Sequence, residues 1–353
     1  MTDAPPDAPT DSIAPEPSVE TTRRLLGASF DLLTRNSDDH RRASFYIGGV
    51  VLGTVGPLAL ASWALEIVSI HRTAREMALI FDPGAETWLQ LLELLAGIGL
   101  LVAAVESRAM ASAILGGHLV GRPVTVRAAL ARSRMVFWRV IVGSIIVGIP
   151  VLTVQLALSA LSAATLGAQT DTSIVSPVLA AAVVGAPFAY LLSGIVLGDV
   201  DPFEAVRRSF RVFRARKLAA ALVAVFETTA TVLVVLGLGV GLDLALRLFG
   251  GLGLGPESGP AGLTLMTIAI LAGVFALGTL VYTAYAIAVA PQIVMFVGLT
   301  RATYGLDHVR PGGGRDPEID RPGRPRFRWL TRSVLLGIVA GGLGFAVLLV
   351  ILG

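Results

Sequence analysis

Residues 201–242 read DPFEAVRRSFRVFRARKLAAALVAVFETTATVLVVLGLGVGL, and their order decides the fold class. The opening is amphipathic. Asp201 stands where a helix is capped, Pro202 suits a first helical turn, and Glu204 follows Asp201 by three residues as in a capping box. Phe203, Val206, Phe210 and Phe213 recur at intervals of three and four, which places them on one helical face. Arg207, Arg208, Arg211 and Arg214 take the remaining positions. The stretch Lys217–Phe249 is then apolar throughout most of its length. A bilayer crossing takes about 20 apolar residues for roughly 30 Å of hydrocarbon, so this stretch can span. The pattern predicts a helix lying in the headgroup plane, rings down and guanidiniums outward, leading into a transmembrane helix. The plainer alternative is a cytoplasmic extension of that helix whose arginines only mark orientation.

The rest of the chain repeats this theme. Of its 353 residues, 54% are hydrophobic and 15% are charged, with a mean hydropathy of +0.76. Soluble domains carry about 25% charged residues, so a single water-soluble globule is excluded. The 39 glycines suit helices packed inside lipid. With no cysteine, there is no disulfide, thiolate metal site, cysteine nucleophile or iron–sulfur cluster. Seven stretches have spanning length: Ser44–Ile70, Trp88–Ala109, Phe137–Leu166, Ser173–Gly198, Lys217–Phe249, Gly262–Leu299 and Ser333–Leu352. The expected fold is an all-α polytopic transmembrane bundle with short amphipathic helices on its cytoplasmic side. Residues 1–20 form an acidic, proline-rich tail expected to be disordered and uncleaved, since they lack a basic n-region and an apolar h-region. Residues 21–300 form a six-span membrane domain, 301–332 a cytoplasmic Arg/Pro/Gly-rich linker, and 333–353 a final transmembrane helix.

Charge bias sets the expected orientation, because Lys and Arg favour cytoplasmic loops. With the N-terminus inside, basic residues cluster in the N-terminal segment, at Arg108–Arg139, at Arg207–Lys217 and at Arg301–Arg332. Only Arg72, Arg75 and Arg247 of the 28 basic residues are left outside. Seven spans then place the C-terminus outside.

A weak repeat runs through the inner segments. Ala129, Arg132, Ser133, Val136 and Phe137 match Ala205, Arg208, Ser209, Val212 and Phe213 at a constant separation. ASFDLL at Ala28–Leu33 shares the Ser-Phe pair of the second copy, and each segment precedes a pair of spans. With its repeated A-x-x-R-S-x-x-x-F helices before transmembrane pairs, the chain over residues 21–300 resembles a broad superfamily. That superfamily includes the membrane domain of glycerophosphoryl diester phosphodiesterases and many uncharacterised bacterial and haloarchaeal membrane proteins. The resemblance implies a membrane location. The soluble phosphodiesterase barrel of some relatives has no counterpart here, so no catalytic residue is carried over.

The motifs of common enzymes are missing. His40, His71, His118 and His308 are scattered with no H-E-x-x-H, and there is no G-x-S-x-G or phosphate-binding loop. Gly250, Gly251, Gly253 and Gly255 follow no strand and read as a turn. No metal or cofactor is expected. The acids inside the spans carry the sharper chemistry: Glu93, Glu106 and Glu227, with Glu66 and Asp243 nearer span ends. A carboxylate at mid-membrane costs about 3 kcal/mol on insertion scales, which a long apolar span offsets. Such acids relay protons, bind a cation, pair with Arg, or sit protonated against a neighbouring helix. Asp243 and Arg247, four apart, read as a local ion pair. Small residues four apart at Gly49/Gly53, Ser144/Gly148, Gly237/Gly241 and Gly337/Gly341 mark faces for close helix packing, within the chain or between copies. Pro57, Pro150, Pro187 and Pro291 are expected sites of kinks.

The functional expectation is a non-enzymatic membrane-organising or scaffold component. It would meet anionic lipid headgroups through Arg132, Arg134, Arg207, Arg208, Arg211 and Arg214. A homo-oligomer or another membrane protein is a further expected partner, and nucleic acid is not. The rival is a transporter or permease component using Glu93, Glu106 and Glu227.

Overall fold

The computed structural model describes residues 19–76, 83–166, 175–251 and 259–312. Among them the chain is an all-α bundle without a strand. The helices are α1 (Val19–Arg35), α2 (Ser37–Glu76), α3 (Pro83–Leu119), α4 (Val126–Leu166), α5 (Val175–Ala180), α6 (Leu191–Gly198), α7 (Pro202–Ala215), α8 (Lys217–Gly251) and α9 (Gly259–Thr303). A π-turn at Ala181–Gly185 and a 3₁₀ turn at Ala186–Phe188 join α5 to α6. Five helices are long and apolar enough to cross a membrane, and α5–α6, bent by 41°, makes a sixth if taken as one broken span. The expected seventh span at Ser333–Leu352 and the tail before residue 19 lie outside the described residues, as does the linker beyond residue 312.

Of the two matched repeat segments, the structure joins one to the span after it. Expected kinks divide the same way. Helices α2, α4 and α9 run through Pro57, Pro150 and Pro291 without a break in helical assignment. Only Pro187 lies in a break. The amphipathic residues before Phe137 are continuous with α4, whereas α7 is a separate helix. The reason lies in Arg216, whose φ of −145° and ψ of 65° interrupt the helix between α7 and Lys217.

The two ends of the bundle differ. Along α3, Trp88, Leu91, Leu94, Leu95, Ile98 and Leu101 are exposed, whereas residues from Ala103 to Leu115 are mostly buried. In α4 the order reverses: Ala129–Val140 carries the buried positions, and Val142, Ile145, Ile149, Leu152 and Leu156 are exposed. In α9, Leu265, Ile268 and Leu280 are exposed while Tyr282, Val289, Ala290 and Ile293 are buried. Because α3 and α4 meet at their joined ends, the packed core gathers at one end of the molecule. That polar end also holds α1, α6 and α7. The other, apolar end presents hydrocarbon-compatible surface.

The close approach of α2 and α9 uses Gly48 and Gly278, which lie outside the spaced pairs. Gly48 of α2 faces Gly278 of α9. A Cβ on Gly278 would lie 2.8 Å from the Gly48 Cα, so the backbones themselves are in contact. By contrast, Gly49, Gly148 and Gly237 have nothing within 4 Å of a would-be Cβ. A four-residue spacing shows that a small face exists, but not which neighbour uses it.

Candidate functional site

The turns that lead into α4 and α7 build the polar end. Gly121 takes φ +71° before α4, and Asp199 takes φ 51° after α6, the left-handed region that reverses a chain after a helix. Val200 and Asp201 then lead into α7. Asp201 is extended as an N-cap residue should be, but its side chain makes no capping hydrogen bond. Glu204, expected to complete a capping box, accepts instead from Arg208 Nε at 3.2 Å.

Arg132, expected at lipid headgroups, is fully buried. Its Nε and Nη2 donate to the Val196 carbonyl at 3.0 and 2.7 Å, and its Nη1 lies 3.0 Å from Asp199 Oδ1. Val196 belongs to the last turn of α6, whose final carbonyls have no partner within the helix and carry the negative end of its dipole. A guanidinium there satisfies both needs. Arg139 reaches the same Asp199 oxygen at 3.0 Å. Asp199, unremarked in the sequence, is therefore the hub joining α4 to the end of α6.

Arg134 is also withdrawn from lipid. Its Nε meets Glu106 Oε1 at 3.1 Å, and both residues are buried. The acids do not converge. Glu106 belongs to Arg134, Glu227 of α8 pairs with Arg108 of α3, and Glu93 is exposed on the apolar half of α3. Glu66, Asp243 and Arg247 lie outside the described side chains.

Further braces cross the polar end. His118 Nε2 lies 3.1 Å from Asp39 Oδ2, and His40 Nδ1 lies 3.0 Å from the Tyr282 hydroxyl. The Arg310 N–H donates to the Leu197 carbonyl at 2.6 Å, and Arg122 lies 3.7 Å from Asp307. The break between α5 and α6 is held from two sides. Ser209 of α7 donates to the Pro187 carbonyl at 2.7 Å and accepts from the Tyr190 N–H at 3.2 Å, while Gln292 of α9 donates to the Ala189 carbonyl. The repeat singled out Ser209 by position but not by role. Gln292 left no signal beyond its place after Pro291.

Helix α7 turns differently from its sequence reading. Ala205 and Ser209 are buried against its neighbours. Phe203 is 74% exposed, Phe210 is at the exposed margin with its ring edge-on to Phe188, and Arg207, Arg211 and Arg214 are exposed. At about 100° per residue, positions 203, 207, 210 and 214 fall within roughly 60° of each other. The outward face is thus a mixed stripe of two Phe and two Arg, not an arginine face opposed to a phenylalanine face. The small residues Ala205 and Ser209 permit this, since they let the helix lie close to α6. Arg208 is half-buried, 5.7 Å from the Tyr304 ring, and Arg211 donates to the Tyr304 hydroxyl.

No group of three or more His, Asp or Glu placed to hold a metal ion occurs among the described residues. No family model, curated protein or solved structure matches the chain.

Proposed function

We propose that this multi-pass chain is a non-enzymatic scaffold of the cell membrane whose polar end faces the cytoplasm and engages anionic lipid headgroups through α7. The outward stripe Phe203, Arg207, Phe210 and Arg214 carries the reading. Exposed phenylalanines favour the acyl boundary, and guanidiniums on the same face reach phosphates just above it. Each basic residue near an anionic surface contributes about 1 kcal/mol, so Arg207, Arg211 and Arg214 together favour contact by a few kcal/mol at low salt. Exposed Phe30 on α1 and Trp138 on α4 extend an aromatic belt around the same end. The positive-inside bias supports an N-terminus inside and a C-terminus outside. The proposed headgroup contacts are now Arg207, Arg211 and Arg214, with Arg208 partly committed to Glu204 and Arg211 to the Tyr304 hydroxyl.

The test uses the full chain, which has no native cysteine. A polarity-sensitive fluorophore on Phe203→Cys should report an apolar setting in vesicles containing phosphatidylglycerol. The shift should shrink when Arg207, Arg211 and Arg214 are replaced by Gln. A label that reads water in every vesicle would overturn the reading.

Transport is the second reading, and the broken span α5–α6 favours it, since interrupted helices line substrate sites in many transporters. Against it stand the arginines already bound to Glu106 and Glu227.

A further inference from the structure

Glu93 stands apart from the other described membrane acids. The chain provides Arg134 for Glu106 and Arg108 for Glu227. The Glu93 carboxyl has no hydrogen bond or ion pair among the described residues. Exposed Leu91, Leu94, Leu95 and Ile98 cover the other sides of the same stretch of helix, as apolar surface at the same depth. From Trp88 to Arg108, α3 covers about 30 Å at 1.5 Å per residue, which is the thickness of the hydrocarbon layer. On that scale Glu93 lies about 8 Å inside the Trp88 level. One turn further, Gly97 has nothing within 4 Å of a would-be Cβ. The helix backbone is therefore bare beside the acid, which is the condition for another helix to come close.

We propose that the Glu93–Gly97 face of α3 is a docking surface for a transmembrane helix of a different membrane protein, one that carries an Arg or Lys at the depth of Glu93. Charge complementarity identifies the occupant. An acid exposed to hydrocarbon is unfavourable and needs a cation or a donor. This chain has no Lys or Arg within 76–107, 140–206, 218–246 or 248–300, and none after Arg332. A second copy would bring Glu93 against Glu93 across a twofold axis. The partner must contribute the cation, and Gly97 admits its backbone. This surface is at the apolar half of α3, away from α7, so the inference does not rest on lipid binding by the polar end.

The test reconstitutes the full chain in phosphatidylcholine vesicles with a donor dye on Ala261→Cys, an exposed position. Acceptor-labelled leucine-rich transmembrane peptides carry either one Arg at the depth of Glu93 or Leu in its place. Energy transfer to the Arg peptide should reach half-maximum at a peptide-to-lipid ratio about tenfold lower than for the Leu peptide, the scale of a polar contact between model transmembrane helices. Glu93→Gln should remove the difference. Gly97→Leu, which leaves the acid in place, should weaken binding of the Arg peptide by blocking approach. Equal transfer from both peptides, or a preference that survives Glu93→Gln, overturns the proposal. Transfer between two labelled populations of the chain itself that is lost in Glu93→Gln also overturns it, in favour of a second copy.

Discussion

The Ser209 hydroxyl on α7 donates to the Pro187 carbonyl at 2.7 Å, in the break of a membrane-length helix pair. The same oxygen accepts from the Tyr190 N–H. One side chain thus satisfies two backbone groups that the break between α5 and α6 leaves without helical partners. It also ties α7 to the bent helix pair α5–α6.

Ser209→Ala is expected to leave both groups buried without that partner, at a cost of about 1–3 kcal/mol. Ser133→Ala, at the matching repeat position, loses only a bond to its own-helix Leu130 carbonyl and should cost less than about 1 kcal/mol. Thermal unfolding in detergent compares the two. A Ser209 variant as stable as the Ser133 variant would show that the clasp carries no energy.

The Glu106–Arg134 pair is buried, so breaking it from one side leaves a bare charge. Arg134→Met alone should destabilise by about 3–5 kcal/mol, and adding Glu106→Leu should recover most of that loss. Equal stability of the single and double variants, measured by chemical denaturation, would contradict the pairing.

Glu227→Gln keeps the shape of the side chain and removes the charge that faces Arg108. A double-mutant cycle with Arg108→Gln and Glu227→Gln should yield a coupling of about 0.5–3 kcal/mol. Additive losses would mean that the two side chains act independently.

Orientation is open to direct labelling. Arg127 is exposed at the polar end and Ala261 at the apolar end. In intact cells a membrane-impermeant maleimide should modify Ala261→Cys and spare Arg127→Cys until the membrane is opened. The reverse result would invert the topology.

Phe203→Asp tests the aromatic part of the α7 stripe. The side chain is exposed, so the fold should tolerate the change to within about 0.5 kcal/mol. The shift of a polarity-sensitive fluorophore placed on Phe210→Cys should nevertheless fall in phosphatidylglycerol vesicles. Unchanged fluorescence would leave the arginines as the only lipid contacts.

What the sequence determined alone is whatever depends on solvent preference along the chain. Apolar runs of spanning length, the alternation of basic and non-basic loops, and the three-and-four spacing around Phe210 all follow from transfer energies and helical period. These were enough for an all-α bundle with a helix before Lys217. Tertiary structure alone decided which charges are used. Arg132 and Arg207 look equivalent as letters in basic segments, yet one closes the end of α6 and the other faces outward. The difference depends on partners distant in sequence: Val196 and Asp199 for Arg132, Glu106 for Arg134, Arg108 for Glu227. No local pattern records such pairings, because a buried charge is tolerated only where another segment meets it, and that meeting is a property of packing. The same holds for α7, where small Ala205 and Ser209, rather than the phenylalanines, choose the buried side by letting the helix backbone approach α6.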